Sequence, residues 1–416
     1  MKIAIDITAI TTARGNFGDK SGVYRYTLNL IKELANIIGD NELYLLDFIG
    51  TGKLLIPSEL LPVLNQKNVF YKSFSRPIEL EFCPFLIRKL PGIRTIYKKI
   101  NNNLKWNLFF KKINKYLINK KIDIIHFSDT VYFPTKCKKT LTVHDLVPFL
   151  FPELQQLETI KIHKKRMKFI KNHCDGVICV SKNTQKDFNK KCKNVFSKVI
   201  YEGSDDNFYK INQKEFRSTL DKTSESFLKN LEWKEYYLSY GTIEPRKNYG
   251  TLLSAYTDLF FENKINKKLI IIGGKGWGNT YEKIQNFIKE NSLEKQIIIL
   301  NFVSDRLLNT LINGSYCLIY PSLYEGFGLP PLEAMNLGIP TITSNTSSLP
   351  EVVGDEASTF NPLNIKELEK QIILLEDSKK YNKQIDYSAK RSKLFSWEKT
   401  AKETLDFYQK IINDSN

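Results

Sequence analysis

Apolar runs of strand length alternate with helical patterns along this chain, and the alternation occurs in two successive series. Strands that are separated by helical segments are typical of βαβ units in a parallel sheet. The predicted strands of the first series are Lys2–Ile7, Leu43–Phe48, Ile122–Phe127, Thr140–His144, Gly176–Val180 and Lys198–Tyr201. Those of the second series are Tyr236–Tyr240, Lys268–Ile272, Ile297–Phe302, Cys317–Tyr320 and Thr341–Thr343. The sequence therefore predicts an α/β protein with two doubly wound domains.

The helical patterns and the domain boundaries follow from the same alternation. Helices are predicted at Val23–Ile38, Leu157–His173, Thr184–Lys191, Thr251–Glu262, Tyr281–Glu290, Asp305–Asn313 and Pro331–Leu337, and a final amphipathic helix at Trp397–Ile412. A chain of 416 residues is long enough for two or three domains. We assign residues 1–205 to an N-terminal domain, 206–392 to a C-terminal domain and 393–416 to the final helix. Residues 50–121 break the alternation, and we interpret them as a basic insertion with its own helices.

The composition indicates a folded, cytoplasmic protein. Hydrophobic residues make up 42% of the chain, enough for sizeable cores and too many for a disordered chain. The chain has no basic and apolar leader with a small-residue cleavage site, and no apolar run approaching ~18 residues, so we expect neither a signal peptide nor a transmembrane helix. The six cysteines are scattered and form no Cys-x-x-Cys pair, which is typical of reduced structural cysteines.

The net charge of +17 is unevenly distributed. Between Pro84 and Lys121 there are eleven Lys or Arg residues and no Asp or Glu, and aromatic and aliphatic residues interleave with them. A second basic run covers Lys161–Lys171. Basic amphipathic helices can lie on an anionic membrane surface, and they can equally be solvated faces over an ordinary core. The chain shows no recognition signature of nucleic-acid-binding proteins, so we expect no nucleic-acid partner.

One strand-to-helix loop predicts a ligand site. The apolar run Tyr316–Tyr320 reads as a buried strand, and a helix is predicted to start at Pro330 or Pro331 and to stop at Gly338. The loop between them lies at the carboxyl end of a strand, where open α/β sheets bind ligands. Its glycine amides and the helix dipole suit a phosphate. Glu325 and Glu333 would repel phosphate, so we expect them to accept hydrogen bonds from sugar hydroxyls, as in a nucleotide-sugar complex.

A second strand-to-helix loop carries two adjacent cations. The segment Gly241–Asn248 follows a predicted strand and contains Arg246 and Lys247. An arginine offers a planar fork and a lysine a point charge, so together they can bind several oxygens of a diphosphate. They would also stabilise the negative charge that develops on a departing nucleoside diphosphate.

Three further residues of the N-terminal half are candidates. His144 emerges at the end of a predicted strand, and a histidine there can hydrogen-bond a sugar hydroxyl. Its neighbour Asp145 would either orient His144 or cap the following segment. Gly22, in the segment Ser21–Thr27, opens the first long helix, so its amide can approach a phosphate or an acceptor oxygen, or it is simply a helix start.

These motifs together resemble those of the retaining glycosyltransferases of family four, which have the GT-B fold. The resemblance rests on segments 140–148, 241–248, 325–334 and 344–351, and on the Gly-Val-Tyr-Arg-Tyr string that begins at Gly22. It implies two Rossmann-like domains that face a central cleft, with the last helix returning to the first domain. Within the family the motif sequences are most similar to those of the mannosyltransferase B-like branch. Members of this branch build bacterial surface polysaccharides such as O-antigen, lipopolysaccharide and capsule.

The resemblance implies a role for each candidate residue. Glu333 would bind the ribose of the donor, and Glu325 the transferred sugar together with His144. The diphosphate would lie against Arg246, Lys247 and the helix-start amides. The remaining donor-side candidates are Val303 for the base, the loop residues Gly326, Phe327, Gly328 and Leu329, and Asn345 and Ser347 at the cleft.

The resemblance also implies the substrates. The donor would be a nucleotide-diphosphate sugar, with GDP-mannose the first candidate and UDP- or dTDP-sugars still open. The acceptor would be a glycan or a lipid-linked oligosaccharide at the inner face of the cytoplasmic membrane. No Asp-x-Asp pair follows a predicted strand, so we expect neither a metal nor another cofactor. Two rival hypotheses are a catalytically degenerate scaffold on the membrane and a non-transferring enzyme such as a nucleotide-sugar epimerase.

Overall fold

The computed structural model describes residues 1–11, 22–48, 58–75, 91–128, 131–223, 227–355 and 357–414, with the side chains of 91–103 outside that description. Within these ranges the strands form two sheets, and every pairing is parallel. Ser21 and the preceding loop, residues 12–20, lie outside the described residues, as do parts of the basic insertion at 50–57 and 76–90.

The first sheet has the strand order β3-β2-β1-β4-β5-β6-β7. Its strands are β1 (Lys2–Asp6), β2 (Glu42–Asp47), β3 (Val69–Ser73), β4 (Ile124–Phe127), β5 (Lys138–Val143), β6 (Gly176–Cys179) and β7 (Ser197–Val199). The central strands are buried on both faces, as their near-continuous Ile, Val and Leu content requires in a parallel sheet.

The second sheet has the strand order β10-β9-β8-β11-β12-β13. Its strands are β8 (Tyr236–Tyr240), β9 (Lys268–Ile272), β10 (Ile297–Leu300), β11 (Cys317–Tyr320), β12 (Thr341–Ser344) and β13 (Ser358–Phe360). The strand order reverses between β8 and β11, and this switch point is where a doubly wound sheet opens a crevice at its carboxyl edge.

Helices cover the faces of both sheets. Those of the first half are α1 (Thr8–Thr11), α2 (Gly22–Ile37), α3 (Leu61–Leu64), α4 (Pro91–Asn119), α5 (Val147–Leu150), α6 (Leu157–His173) and α7 (Lys182–Lys191). Those of the second half are α8 (Gln213–Asp221), α9 (Tyr249–Phe261), α10 (Thr280–Glu290), α11 (Asp305–Gly314), α12 (Leu329–Asn336), α13 (Leu349–Val353), α14 (Ile365–Leu375), α15 (Ser378–Ser392) and α16 (Trp397–Asn413). Among the described helices, none combines the length and the apolar character needed to cross a bilayer.

The predicted α/β architecture is confirmed, with two corrections to the strands. The prediction missed β3, which lies inside the basic insertion and forms the edge of the first sheet; its side chains are only alternately buried, so its apolar signal is weak. It also missed β13, a three-residue edge strand. Several strands end one or two residues earlier than predicted, so that His144 lies just beyond β5 and Phe302 two residues beyond β10.

The last helix packs against the first domain. Phe407, Tyr408 and Ile411 of α16 belong to the same hydrophobic cluster as β1 and α2. The contact with β6 is close, since a β-carbon on Gly176 would come within 2.6 Å of the Ile411 side chain. The chain therefore leaves the second sheet through α15 and ends on the first, which ties the two domains together.

Candidate active site

Glu325 is the centre of a buried charge cluster in the loop that follows β11. Its Oε1 accepts hydrogen bonds from Lys247 at 2.7 Å, from the Ser322 hydroxyl at 2.6 Å and from the Tyr320 hydroxyl at 3.0 Å. Its Oε2 lies 2.6 Å from the Arg246 guanidinium. Both carboxylate oxygens are thus engaged, and the two loops that the sequence analysis selected meet at one carboxylate.

The backbone of both loops explains why these side chains converge. Gly328 has a φ of +126°, which favours glycine, and it precedes α12, whose first turn contains Pro330 and Pro331. Asn248 adopts the left-handed conformation, and its side-chain amide donates to the carbonyls of Pro321 and Pro362. The asparagine that follows the cation pair therefore ties its loop to the loop that carries Glu325.

The electrostatics follow from the burial of the cluster. Burial alone would raise the pKa of Glu325, but Arg246 and Lys247 lower it to about 2. Burial likewise opposes the charge on Arg246, yet Glu325 and Glu244 hold its pKa above the usual value. For Lys247 burial prevails, and its pKa lies below the usual value despite the adjacent Glu325. Glu325 and Arg246 are therefore a firm ion pair, and Lys247 is the member that loses its proton most readily.

Glu333 lies on the first turns of α12 and is almost completely buried. The Tyr240 hydroxyl donates to its Oε2 at 2.7 Å, and the Arg25 guanidinium, which comes from α2, lies 3.7 Å from its Oε1. Burial raises the pKa of Glu333, while Arg25 and the bond from Tyr240 oppose the rise. This carboxylate is therefore held by one group from each domain.

His144 stands at the carboxyl end of β5 and has a carboxylate behind it. Its Nδ1 lies 3.5 Å from Oε1 of Glu202, which is buried, and its ring packs edge-on against Tyr26 with centroids 4.8 Å apart. Asp145 is bound to the following segment, since its carboxylate accepts a hydrogen bond from the amide of Val147, the first residue of α5.

The two domains touch at the site itself. The carbonyl oxygen of His144 lies so close to Gly326 that a β-carbon on the glycine would be 1.7 Å from it. The Thr184 hydroxyl, from α7, donates to the Gly326 carbonyl at 3.0 Å. The Tyr324 hydroxyl donates to Asp187 of the same helix at 3.0 Å. The loop that carries Glu325 is therefore held against the first domain on both sides of Gly326.

The other predicted residues surround this centre to different degrees. Ser347 is part of it, because its hydroxyl accepts from the Glu325 amide at 2.9 Å. Phe327 points away, into the core between Tyr201 and Phe395, so any contact with a donor would come from its backbone. Four more lie at the ends of helices and strands. Leu329 opens α12 and packs against the same core, and Gly22 opens α2, where a β-carbon would meet nothing within 4 Å. Val303 and Asn345 follow β10 and β12.

Four residues complete the site without having been predicted for it. Tyr320 and Ser322 bind Glu325 and belong to a strand end and its loop, where nothing in the sequence pattern distinguishes them. Arg25 lies in the Gly-Val-Tyr-Arg-Tyr string that begins at Gly22, so a sequence signal for it existed. Glu202 lies 58 residues after His144, and only the fold brings the two together. Among the described residues, no three His, Cys, Asp or Glu side chains are arranged to hold a metal ion.

Comparison with known proteins finds glycosyltransferases for both halves of the chain. Residues 221–392 match the family described as glycosyl transferases group 1, and residues 68–208 match glycosyltransferase family 4. The chain is 27% identical to the O-antigen chain mannosyltransferase B of Escherichia coli over 395 residues, which cover 94% of this chain and 96% of the relative.

Solved structures share the fold over the full length. A sucrose-phosphate synthase from Thermosynechococcus elongatus superposes with a TM-score of 0.69 at 19% identity, covering 100% of both chains. Anabaena HepE in complex with UDP-glucose superposes with a TM-score of 0.67 at 16% identity, covering 98% of this chain and 99% of the other. The chain thus carries a glycosyltransferase family 4 domain followed by a glycosyl transferases group 1 domain, in the two-sheet architecture of the GT-B fold.

Proposed function

We propose that this protein transfers mannose from GDP-mannose, with retention at the anomeric carbon, to the growing glycan or lipid-linked oligosaccharide of a bacterial surface polysaccharide. The observation that carries the proposal is the buried Glu325, bound to Arg246 and Lys247 directly beneath the His144 contact. The identity of the transferred sugar is supported by the similarity to the E. coli O-antigen chain mannosyltransferase B.

The donor would lie across the carboxyl edge of the second sheet. Glu333 would accept hydrogen bonds from the ribose hydroxyls, and the backbone of Val303 would contact the base. Arg246, Lys247 and the amides at the start of α12 would hold the diphosphate. The sugar would then lie between the Glu325 loop and His144.

The transfer step would need no protein nucleophile. The acceptor hydroxyl attacks the anomeric carbon from the face that the diphosphate leaves, so a new bond from carbon to the acceptor oxygen forms as the bond from carbon to the phosphate oxygen breaks. The hydroxyl proton passes to an oxygen of the departing nucleoside diphosphate. Arg246 and Lys247 would stabilise the negative charge that develops there. Such electrostatic stabilisation is usually the largest single contribution to the rate of an enzyme reaction.

We also propose that the reaction is independent of a divalent metal. The support is chemical: Arg246 and Lys247 are two buried cations that could neutralise a diphosphate in place of a metal. Activity that survives EDTA and is not raised by added Mg²⁺ or Mn²⁺ would support this, and a strict requirement for either ion would overturn it.

A donor panel tests the proposed function. Purified protein would receive GDP-mannose, UDP-glucose, UDP-galactose, UDP-N-acetyl sugars or dTDP-rhamnose with an acceptor lipid extract, and release of the nucleoside diphosphate would be recorded. We expect release from GDP-mannose and its loss in Glu325→Ala. NMR of the product would then give the anomeric configuration, and inversion would refute retention. Conversion of the donor sugar without an acceptor would indicate an epimerase, and silence with every donor would indicate a non-catalytic scaffold.

A peripheral contact with an anionic membrane is part of the proposal. On α4 the exposed side chains Leu104, Leu108 and Ile118 share one face with Lys111 and Lys115, opposite the buried face of the helix. Sedimentation with vesicles would test this. We expect binding to vesicles that contain an anionic lipid, little binding to neutral ones, and a loss of binding in Leu108→Asp. If the wild type and Leu108→Asp sediment equally with anionic and with neutral vesicles, the proposed membrane contact is contradicted.

A further inference from the structure

One arginine of the first domain reaches into the donor domain. Arg25, on the first turn of α2, lies 3.0 Å from Asp305 at the start of α11 and 3.7 Å from Glu333 on α12. It also lies 3.4 Å from Asp205, in the segment between the domains, and above the ring of Phe208. A single guanidinium therefore lies within ion-pair distance of three carboxylates, two of which belong to the donor domain.

The surroundings of Glu333 define what Arg25 does for it. The charged and titratable groups that face this carboxylate are Arg25, the Tyr240 hydroxyl, Asp205 and Asp305. Arg25 is the only cation among these four, and the two aspartates oppose ionisation of Glu333. Burial opposes it further, since only 4% of the Glu333 side chain is exposed. The balance between the ionised and the neutral carboxyl thus depends on one side chain from the other domain.

We propose that Arg25 is a positioning residue that keeps Glu333 ionised, so that helix α2 of the first domain completes the ribose-binding site of the second. The inference rests on the proposed function, specifically on the assignment of Glu333 to the donor ribose. An ionised carboxylate only accepts hydrogen bonds, and it can accept about four. With Tyr240 on Oε2 and Arg25 beside Oε1, acceptor capacity remains for two ribose hydroxyls.

Removing Arg25 would change the chemistry of this carboxyl. Burial already raises the pKa of Glu333, and Arg25 is the first of the groups that oppose the rise. Without the guanidinium the carboxyl would hold its proton at higher pH and would present one hydroxyl donor in place of an acceptor. Ribose hydroxyls would then lose a charge-assisted hydrogen bond, and the loss would be reversed as the pH rises and the carboxyl ionises.

The placement of Arg25 also couples the ribose site to the cleft. Because α2 belongs to the first domain, the guanidinium faces Glu333 only while that domain lies against the donor domain, as it does at the contact between Gly326 and His144. A nucleotide that binds ionised Glu333 more tightly would favour the same arrangement of domains.

The test compares two nucleotides that differ only in the ribose. Isothermal titration calorimetry would measure the affinity of the whole protein for GDP and for 2′,3′-dideoxy-GDP at pH 6, 7.5 and 9. The proteins would be the wild type, Arg25→Gln, Arg25→Lys and Glu333→Gln. Lys32→Gln, two turns further along α2, removes the same charge from a partly exposed side chain and is the matched control. The ratio of the two affinities cancels the titration of the phosphates and any unfolded fraction of a variant.

We expect the wild type and Lys32→Gln to prefer GDP by about ten- to a hundredfold at every pH, as for hydrogen bonds to a charged group. Glu333→Gln should bring the ratio near one throughout. Arg25→Gln should have a ratio near one at pH 6 that recovers at pH 9, and Arg25→Lys should retain most of the preference. A wild-type ratio near one would refute the ribose assignment, and the inference with it. If Arg25→Gln has the same affinity ratio as the wild type at every pH while the ratio of Glu333→Gln is near one, the role of Arg25 is refuted and the ribose assignment of Glu333 stands.

Discussion

The backbone carbonyl of His144 and the α-carbon of Gly326 are in direct contact across the two domains, with no room for a β-carbon between them. His144 directly follows a strand of the first sheet, and Gly326 lies in the loop after a strand of the second. This contact brings the imidazole of one domain to the loop that carries Glu325 in the other. It also makes the glycine a steric requirement of the site.

Gly326→Ala should therefore separate the two domains at the site. The new methyl group would lie 1.7 Å from a backbone oxygen, which no side-chain rotation can relieve. Because a misplacement of about 1 Å can cost about a hundredfold in rate, we expect kcat/KM to fall by about that factor or more. Steady-state kinetics would measure it. Gly250→Ala is the control, since a β-carbon there meets nothing within 4 Å, and full activity of Gly326→Ala would refute the steric argument.

Glu325→Gln should destabilise the protein as well as inactivate it. The substitution leaves Arg246 and Lys247 buried without their carboxylate, which typically costs about 3–5 kcal/mol of unfolding free energy. Urea unfolding at pH 7 would measure the loss. Glu158→Gln, which removes one partner of an exposed ion pair with Lys161, should change little. An unfolding midpoint of Glu325→Gln equal to that of the wild type would contradict the ion-pair assignment.

The same pair predicts the acid dependence of stability. The pKa of Glu325 is about 2, below the ordinary value of 4.5, so its ionised form is favoured in the folded state. Its contribution to stability is complete above pH 4.5 and is lost as the pH falls toward 2. The difference in unfolding free energy between wild type and Glu325→Gln should therefore narrow on acidification from pH 5 to pH 3. A constant difference over that range would contradict the low pKa.

Glu202→Gln should lower turnover with little effect on donor binding. Glu202 lies behind His144, 3.5 Å from Nδ1, where a carboxylate selects the tautomer and orientation of the ring. We expect kcat to fall by about ten- to a hundredfold and the KM for the donor to stay within about twofold. Initial rates at several donor concentrations separate the two constants. A rise in KM at unchanged kcat would instead indicate that Glu202 supports donor binding.

His126 should make the protein less stable in acid. Burial, with a smaller effect of His144, lowers the pKa of His126 to about 3, so the folded protein keeps this ring neutral. The unfolded chain takes up the proton below pH 6.5, and stability falls from there toward pH 3 by about 1.4 kcal/mol per pH unit for this group. Urea unfolding at pH 7, 6 and 5 should show this slope in the wild type and a shallower one in His126→Asn. Equal slopes would refute it.

Much of this protein follows from local sequence. The apolar runs and their helical partners were sufficient to predict the doubly wound sheets, because a parallel sheet requires strands buried on both faces. The loops that carry Glu325, Arg246 and Lys247 were identifiable for the same reason, since each follows a buried strand and precedes a helix start. Edge strands such as Val69–Ser73 escaped prediction because half of their side chains face solvent and leave a weak pattern.

The sequence by itself thus determined the two-domain α/β architecture, the family and the strand ends at which the candidate side chains lie. Only the tertiary structure decided which of them meet. Glu202 reaches His144 because both residues follow strands of the first sheet. Arg25 reaches Glu333, and Gly326 meets the His144 carbonyl, because one domain lies against the other. Local patterns record periodicity and turn chemistry, and they contain no information about contacts between side chains that are distant along the chain.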